Sequence, residues 1–308
     1  MFKIYLISEF GGSYGFGHLY RSYTLCKNLS IIKDVIPILK NHDNQDNSLD
    51  NFAFENKVHF INQTKDILNV DLSNALVIMD FYSFNINIIN TAIKKCKKSF
   101  FIADIHIKIP EVNIVINHLP WAKSNNYKFK KKTKFFLGTE YAIIRNEFYE
   151  NPIVSRGRVL ICLGNSDYIM ELIIKIHRSL ILNGYDTKMI DIVYKNRISS
   201  INSKVFNNIS AGQIFNLISE SELCVITPGN ISYEVFKVGR NCVIGSLNRG
   251  QKGVAEKFEK LNLCNYIGSW SEFKAFDLNY IKENSKKIIT SQNRFFKENN
   301  LSEIKNEI

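Results

Sequence analysis

The chain has 308 residues, 45% of them hydrophobic and 22% charged, with a formal net charge of +11. That length is enough for two domains with separate cores, and the composition places the chain among ordinary soluble globular proteins. No apolar run approaches the roughly 18 residues that cross a bilayer, and Met1-Phe2-Lys3-Ile4 enters a strand without the pattern of a signal peptide.

Phe2 to Ser8 is a short, mostly apolar run that reads as a buried first strand. Gly11-Gly12-Ser13-Tyr14-Gly15-Phe16-Gly17-His18 is a glycine-rich turn, after which Leu19, Tyr23, Cys26 and Leu29 recur at helical spacing. Glycines let a backbone come close to a ligand. The helix start turns free N–H groups and a positive dipole end toward the turn, a natural place for an anion. His18 stands at that start, where the dipole favours the neutral imidazole that a general base needs. The plainer reading is a tight turn with an exposed histidine. The spacing is not a dinucleotide fingerprint, because no third glycine follows Gly15 and Gly17 at the right place.

Val35 to Leu39 predicts a second strand, Asn41 to Asn51 a loop and Val58 to Ile61 a short strand. Ala75-Leu76-Val77-Ile78-Met79-Asp80 is a continuous apolar run ended by an acid, as in a buried parallel strand whose carboxyl end faces a site. Tyr82 follows at once. Ile86 to Lys95 reads as a helix, and Ser99 to Asp104, Val112 to Asn117 and Phe135 to Gly138 read as strands. The stretch Tyr149 to Gly157, with Pro152 and Gly157, has the character of a linker. The expected domains are therefore residues 1–148 and 156–308, with 149–155 between them.

The second half begins the pattern afresh. Arg158 to Leu163 is a strand, and Gly164-Asn165-Ser166-Asp167 a turn with Ser166 or Asp167 as N-cap. A helix follows from Ile169 and stops at Asn183-Gly184. Met189 to Tyr194, Leu223 to Ile226 and Cys242 to Ile244 read as strands. Helices are expected over Gln213 to Ile218, Ile231 to Val238 (closed by Gly239) and Val254 to Leu261, and in the charged segment Asp277 to Ile308. Strands alternating with helices give parallel sheets with right-handed crossovers. The expected fold class is α/β, two doubly wound Rossmann-type domains with a cleft between them, and ligands at the carboxyl ends of the strands.

The six cysteines are scattered, and several lie in apolar runs, so they read as small hydrophobes in a reducing cytoplasm, without a zinc site. The basic runs Lys94 to Lys98 and Lys128 to Lys132 come with no nucleic-acid motif. They are read as a solvated face or a weak attraction to an anionic membrane surface, not as a nucleic-acid site.

Five motifs together resemble one family. Gly15-Phe16-Gly17-His18 with Arg21 is similar to the glycine-rich turn of the PseG family, the UDP-sugar hydrolases of pseudaminic acid biosynthesis, and of its spore-coat relatives. Asp80-Phe81-Tyr82 resembles that family's Asp-x-Tyr strand end. Gly138-Thr139-Glu140-Tyr141-Ala142-Ile143-Ile144-Arg145-Asn146-Glu147-Phe148 resembles its Gly-x-x-Tyr-Ala-x-x-Arg-x-Glu-Phe signature. Gly164-Asn165-Ser166-Asp167 resembles its Gly-Gly-Ser/Thr-Asp loop, and Pro228 to Glu234 its nucleotide loop. The matches run from residue 1 to about 268. Two departures stand out. Phe81 replaces a common histidine, and Gly250 replaces the asparagine of an Asn-Gln pair, with Asn248 two positions away.

The resemblance implies a GT-B architecture and metal-independent hydrolysis of a UDP-linked amino sugar. UDP and a free sugar would be released with inversion, in pseudaminic-type acid biosynthesis and without a cofactor. His18 would be the base, Tyr82 would hold the water or a sugar substituent, and Asn248 would stand in for the displaced asparagine. Gly15, Gly17, Gly164, Asn165 and Ser166 would approach the substrate, as would Gly229, Asn230 and Ser232 at a second helix start. Glu234 would take both ribose hydroxyls, and Gln251 would contact sugar or phosphate. Asp80 is expected to orient the glycine-rich loop, and Tyr141 to Phe148 to be structural. Two rival readings are a glycosyltransferase, in which His18 deprotonates an acceptor hydroxyl, and a degenerate nucleotide-sugar-binding protein.

Overall fold

The computed structural model describes residues 3–12, 16–42, 49, 52–104, 108–124, 127, 132–164, 169–296 and 301–308. The chain forms two compact units, Met1–Ile143 with Asn299–Ile308, and Ile144–Glu298.

In the first unit the described strands are β1 (Ile4–Phe10), β2 (Val35–Asn41), β3 (His59–Ile61), β4 (Leu76–Asp80), β5 (Lys98–Ile102), β6 (Ile114–Asn117) and β7 (Lys134–Leu137). They pair in parallel in the order β3-β2-β1-β4-β5-β6-β7. Every residue of β1 and β4 is buried, which is why both read as continuous apolar runs. Side chains alternate between two cores: Leu6, Ile78, Phe100 and Ile116 on one face, Ile7, Val77, Met79 and Phe101 on the other. Helix α1 (Gly17–Asn28) packs Leu19, Leu25 and Cys26 on the first face. Helix α2 (Ile86–Ala92) starts at Asn85, whose side chain accepts from the N–H groups of Asn87 and Ile88.

The second unit repeats the design. Its elements are β8 (Arg158–Cys162), α3 (Ile169–Leu182), β9 (Ile190–Val193), β10 (Lys204–Phe206), α4 (Ala211–Glu220), β11 (Ser221–Ile226), α5 (Asn230–Val238), β12 (Asn241–Ser246), α6 (Arg249–Lys260), β13 (Asn265–Ser269) and α7 (Leu278–Phe295). The parallel order is β10-β9-β8-β11-β12-β13. Gly239 closes α5 in the left-handed region at φ 71°, as expected of a C-cap glycine. Helix α6 begins at Arg249, earlier than the expected Val254, because Asn248 caps it. The edge strands β10 and β13 were not anticipated; their residues are mostly half-buried or exposed and carry little apolar pattern.

The division of the chain differs from the expected 1–148 and 156–308. Residues 144–149 pack with the second unit, where Phe148 is buried edge-on against Phe215. Residues 151–156 are exposed and lie outside regular structure. The last residues return to the first unit. There Leu301 and Ile304 of α8 (Leu301–Lys305) are buried, and Glu307 pairs with Lys98 and Lys134. Among the described residues no helix is long and apolar enough to cross a membrane. Strand order reverses between β1 and β4 in one sheet and between β8 and β11 in the other, and open α/β sheets take ligands at the carboxyl ends of such strands.

Candidate functional site

Helix α1 opens at Gly17 beside the carboxyl ends of β1 and β4, and His18 and Arg21 lie one turn apart on one face. His18 Nδ1 is 2.7 Å from Asp80 Oδ1. Arg21 donates from Nη2 to the same oxygen and from Nε to Oδ2, both at 2.7 Å, and from Nη1 to Asp104 Oδ2 at 2.7 Å. The Tyr82 hydroxyl donates to Asp104 Oδ1. The Tyr82 ring meets the His18 ring edge to face, with centroids 4.2 Å apart and planes at 86°.

His18 is only 5% exposed, which removes the reading of an exposed histidine on a turn. Asp80 is fully buried and its carboxylate is taken by His18 and Arg21, so it acts on the histidine rather than serving only to orient the turn. A carboxylate only accepts hydrogen bonds, so Nδ1 is the His18 nitrogen that donates to Asp80, and Nε2 is the one turned away from it. Burial works against the Arg21 charge, but Asp80 and Asp104 overcome it and hold the guanidinium firmly protonated. Burial likewise works to raise the Asp104 carboxyl, yet Arg21 and the Tyr82 hydroxyl bring it down to about 2. Burial first, then the Asp104 charge, raise the Tyr82 phenol well above its usual value.

Glu9, at the end of β1, holds the other end of Tyr82. Its buried carboxylate accepts from the N–H groups of Tyr82 and Ser83, from the Ser83 hydroxyl and from His42 Nε2 at 3.0 Å. Burial would raise this carboxyl; the Ser83, Tyr82 and His42 bonds bring it below the usual range. Phe81 faces the opposite way. It is buried, stacked on Phe84 at 4.3 Å and edge-on to Phe101, so phenylalanine here takes nothing from the His18 cluster. His118, just after β6, is buried too; burial foremost, with Arg21 adding to it, pushes it down to about 3, so it is neutral.

The remaining candidates are distributed as follows. Gly17 is exposed, and a Cβ there would meet nothing within 4 Å, so packing does not require glycine. Gly15, Asn165 and Ser166 lie outside the described residues. Gly164 follows β8 at φ 101°. Gly229 is the exposed N-cap of α5, and Asn230 is half-buried beside it. Ser232 is buried, donating to the Thr227 carbonyl at 3.0 Å and accepting from the Gly229 N–H, so its hydroxyl builds the turn. Glu234 lies one residue past the first turn, and both of its oxygens accept from Arg145, at 2.6 and 2.8 Å. Burial holds its carboxyl above the usual range, with Arg145 opposing. Asn248 caps α6 by accepting from the Gln251 N–H at 3.0 Å, and Gln251 returns the favour to the Leu247 N–H at 2.8 Å. The Asn248 Oδ1 lies 3.4 Å from where a Cβ at Gly250 would stand.

Sequence reasoning did not single out Glu9, Asp104 or His118, and it gave Arg145 no partner. Asp104 carries the same signal as Asp80, an acid just past an apolar strand. Among the described residues no group of three His, Cys, Asp or Glu side chains is arranged to hold a metal.

No family model matches the chain. The uncharacterized protein MJ1062 of Methanocaldococcus jannaschii is 24% identical over 287 residues, 84% of this chain and 58% of that protein. The chain thus spans little more than half the length of this relative. Among solved structures, MurG of Acinetobacter baumannii matches with a TM-score of 0.62 at 12% identity, over 99% of both chains. UGT2 of Phytolacca americana, in complex with UDP-2-fluoro-glucose and pterostilbene, matches with a TM-score of 0.65 at 10% identity, over 100% of both chains. At such identity the likeness is one of fold. The chain has two parallel-sheet, Rossmann-like domains, a GT-B-like fold.

Proposed function

We propose that the chain hydrolyses a UDP-linked amino sugar, in the manner of the PseG enzymes that its motifs resemble. The observation that carries this reading is the buried His18–Asp80 contact at 2.7 Å. His18 Nε2 takes a proton from water as the water oxygen attacks the anomeric carbon. The bond to the diphosphate breaks with its electron pair on the leaving oxygen, and the anomeric centre inverts. Asp80 stabilises the imidazolium that forms, much as a buried aspartate does beneath other catalytic histidines. The nucleotide is assigned to the second unit, at Gly164 and the Gly229–Asn230 start of α5, where helix N–H groups favour phosphate. Phe81, buried in the core, does not weaken the reading.

The rival is a glycosyltransferase, which the fold likeness to MurG and UGT2 favours. The same base would then take its proton from an acceptor hydroxyl. The pure protein incubated with UDP-amino sugars should release UDP and free sugar without any acceptor. UDP release that appears only with an acceptor glycan, with a new glycoside formed, would replace this reading by its rival.

A further inference from the structure

We propose that Arg21 is a positioning residue for His18: acting through Asp80, its guanidinium loosens the grip of the His18–Asp80 pair on a proton and so keeps a lone pair open on the base. The inference rests on the hydrolytic reading above and adds to it the group that makes the histidine usable.

A buried aspartate left alone with a histidine holds a proton tightly. The carboxylate favours the imidazolium beside it, and a pair resting as imidazolium and carboxylate has no lone pair with which to take a proton from water. Asp80 is not left alone. It is fully buried, and three N–H donors reach it at 2.7 Å each: His18 Nδ1 and Arg21 Nη2 on Oδ1, and Arg21 Nε on Oδ2. Arg21 Nη2 also stands 3.4 Å from His18 Nδ1. The guanidinium thus shares the oxygen that His18 uses, and a positive charge on the imidazole would form against it. His18 and Arg21 are both buried, so water screens that repulsion little.

Asp104 sets how much of the guanidinium charge bears on the pair. It accepts from Arg21 Nη1 at 2.7 Å and so draws part of that charge toward a second carboxylate. Among the described residues no other cation contacts His18 or Asp80. The raised Tyr82 phenol is neutral, and so is His118, held down to about 3. Glu9 of β1 is bonded to the Tyr82 and Ser83 N–H groups and to His42, and Lys40 of β2 donates to the Ser83 hydroxyl. Asp80 and Asp104 therefore favour proton uptake by His18, and Arg21 opposes it. A charge removed at this separation shifts a neighbouring titration by about one to three pH units.

The test follows the His18 ring nitrogens by NMR across pH in the full chain without substrate, their signals being assigned by their loss in His18→Ala. Beside it, the acid limb of kcat/KM is measured for UDP release. Arg21→Gln should raise the midpoint of the His18–Asp80 pair by at least about one pH unit. Arg21→Lys keeps the charge and should leave the midpoint within about half a unit, whereas Asp104→Asn leaves the guanidinium to Asp80 and should lower it. The double variant Arg21→Gln/Asp104→Asn removes one acid along with the cation, so it reports even where Arg21→Gln alone does not fold. Its midpoint should lie at least about one unit above that of Asp104→Asn. The acid limb should move with the midpoint, whereas a merely structural role would lower the rate and move neither. An unmoved midpoint in Arg21→Gln, or in the double variant against Asp104→Asn, would overturn the inference whether or not UDP is released. Midpoints that move as stated in a chain that releases no UDP from any UDP-sugar would overturn the hydrolytic reading and leave the Arg21 assignment standing.

Discussion

Arg145 and Glu234, 89 residues apart, meet as a two-pronged pair, Nε on Oε1 at 2.6 Å and Nη2 on Oε2 at 2.8 Å. The contact ties the Arg145–Phe148 part of the signature to α5 within the second unit, which gives that part a physical role. It also means that any ribose hydroxyl reaching Glu234 must share a carboxylate that is already engaged. The Glu234 side chain is only 6% exposed. Removing Arg145 therefore leaves a buried charge without its partner, which typically costs about 3 to 5 kcal/mol. Arg145→Ala should lower the urea unfolding free energy by an amount in that range, and adding Glu234→Gln should restore much of it. A loss below about 1 kcal/mol in the single variant would show that Glu234 reaches water once Arg145 is gone.

Acid sensitivity should have two stages. Asp104 is held at about 2 against an ordinary 3.8, so it is the unfolded chain that takes up a proton first as the pH falls. Its contribution, of order 2 kcal/mol, is present above pH about 4 and is lost toward pH 2. His118 is held at about 3 against an ordinary 6.5, and again the unfolded chain protonates first. Stability should therefore begin to decline as the pH falls below about 6.5, well before the carboxylates titrate. Urea midpoints measured at stepped pH should show that early decline in the wild type and a smaller one in His118→Gln, where His177, also held below its usual value by burial, still contributes. A wild-type curve flat down to pH about 4 would mean that His118 accepts its proton without penalty.

Legibility in the sequence followed burial. Strands buried on both faces, such as β4, β8 and β11, stand out as apolar runs, and the Asp80 that ends one of them marks a site. The edge strands β10 and β13 do not stand out, because solvent leaves them free to be polar. The His18 turn was readable because glycines and a histidine at a helix start are local signals. Glu9 was not, since it sits inside a run that otherwise reads as core, and its value lies in Tyr82 and Ser83, 73 and 74 residues away. The Arg145–Glu234 pair was hidden for the same reason. Pairing across long sequence distances leaves no periodicity, and without the pairing Glu234 reads as free for a ribose.

Asn248 can be tested in two separable ways. As the cap of α6 it should contribute about 1 kcal/mol, lost in Asn248→Ala and kept in Asn248→Ser, since a serine hydroxyl also caps. Its amide also flanks Gly250, where the resembling family carries its asparagine. If the amide serves the reaction, Asn248→Ser should unfold like the wild type yet release UDP at least about tenfold more slowly. Wild-type turnover in Asn248→Ser would reduce Asn248 to a cap.

The His18–Asp80 contact makes the sharpest demand on the chemistry. His18→Ala should lower UDP release by roughly a hundredfold to ten-thousandfold and leave UDP affinity nearly unchanged, because a base acts on the nucleophile and not on the nucleotide. Asp80→Asn is more informative, since Oδ1 serves both His18 and Arg21 while Oδ2 serves Arg21 alone. An asparagine must turn its amide hydrogens toward one side. At the Oδ1 place they face both His18 and Arg21 Nη2; they demand the tautomer with the proton on Nε2, and the base is lost. At the Oδ2 place they face Arg21 Nε alone and leave the His18 contact intact. The first arrangement should lower turnover by about a thousandfold or more, and either one sets donor against donor beside the buried guanidinium, with a stability loss of about 3 kcal/mol. A ring-nitrogen NMR measurement distinguishes the two, because only the first moves the His18 proton from Nδ1 to Nε2. Near-normal turnover in Asp80→Asn with the His18 proton on Nε2 would mean that His18 is not the base, and the proposed hydrolysis would need another group to activate water.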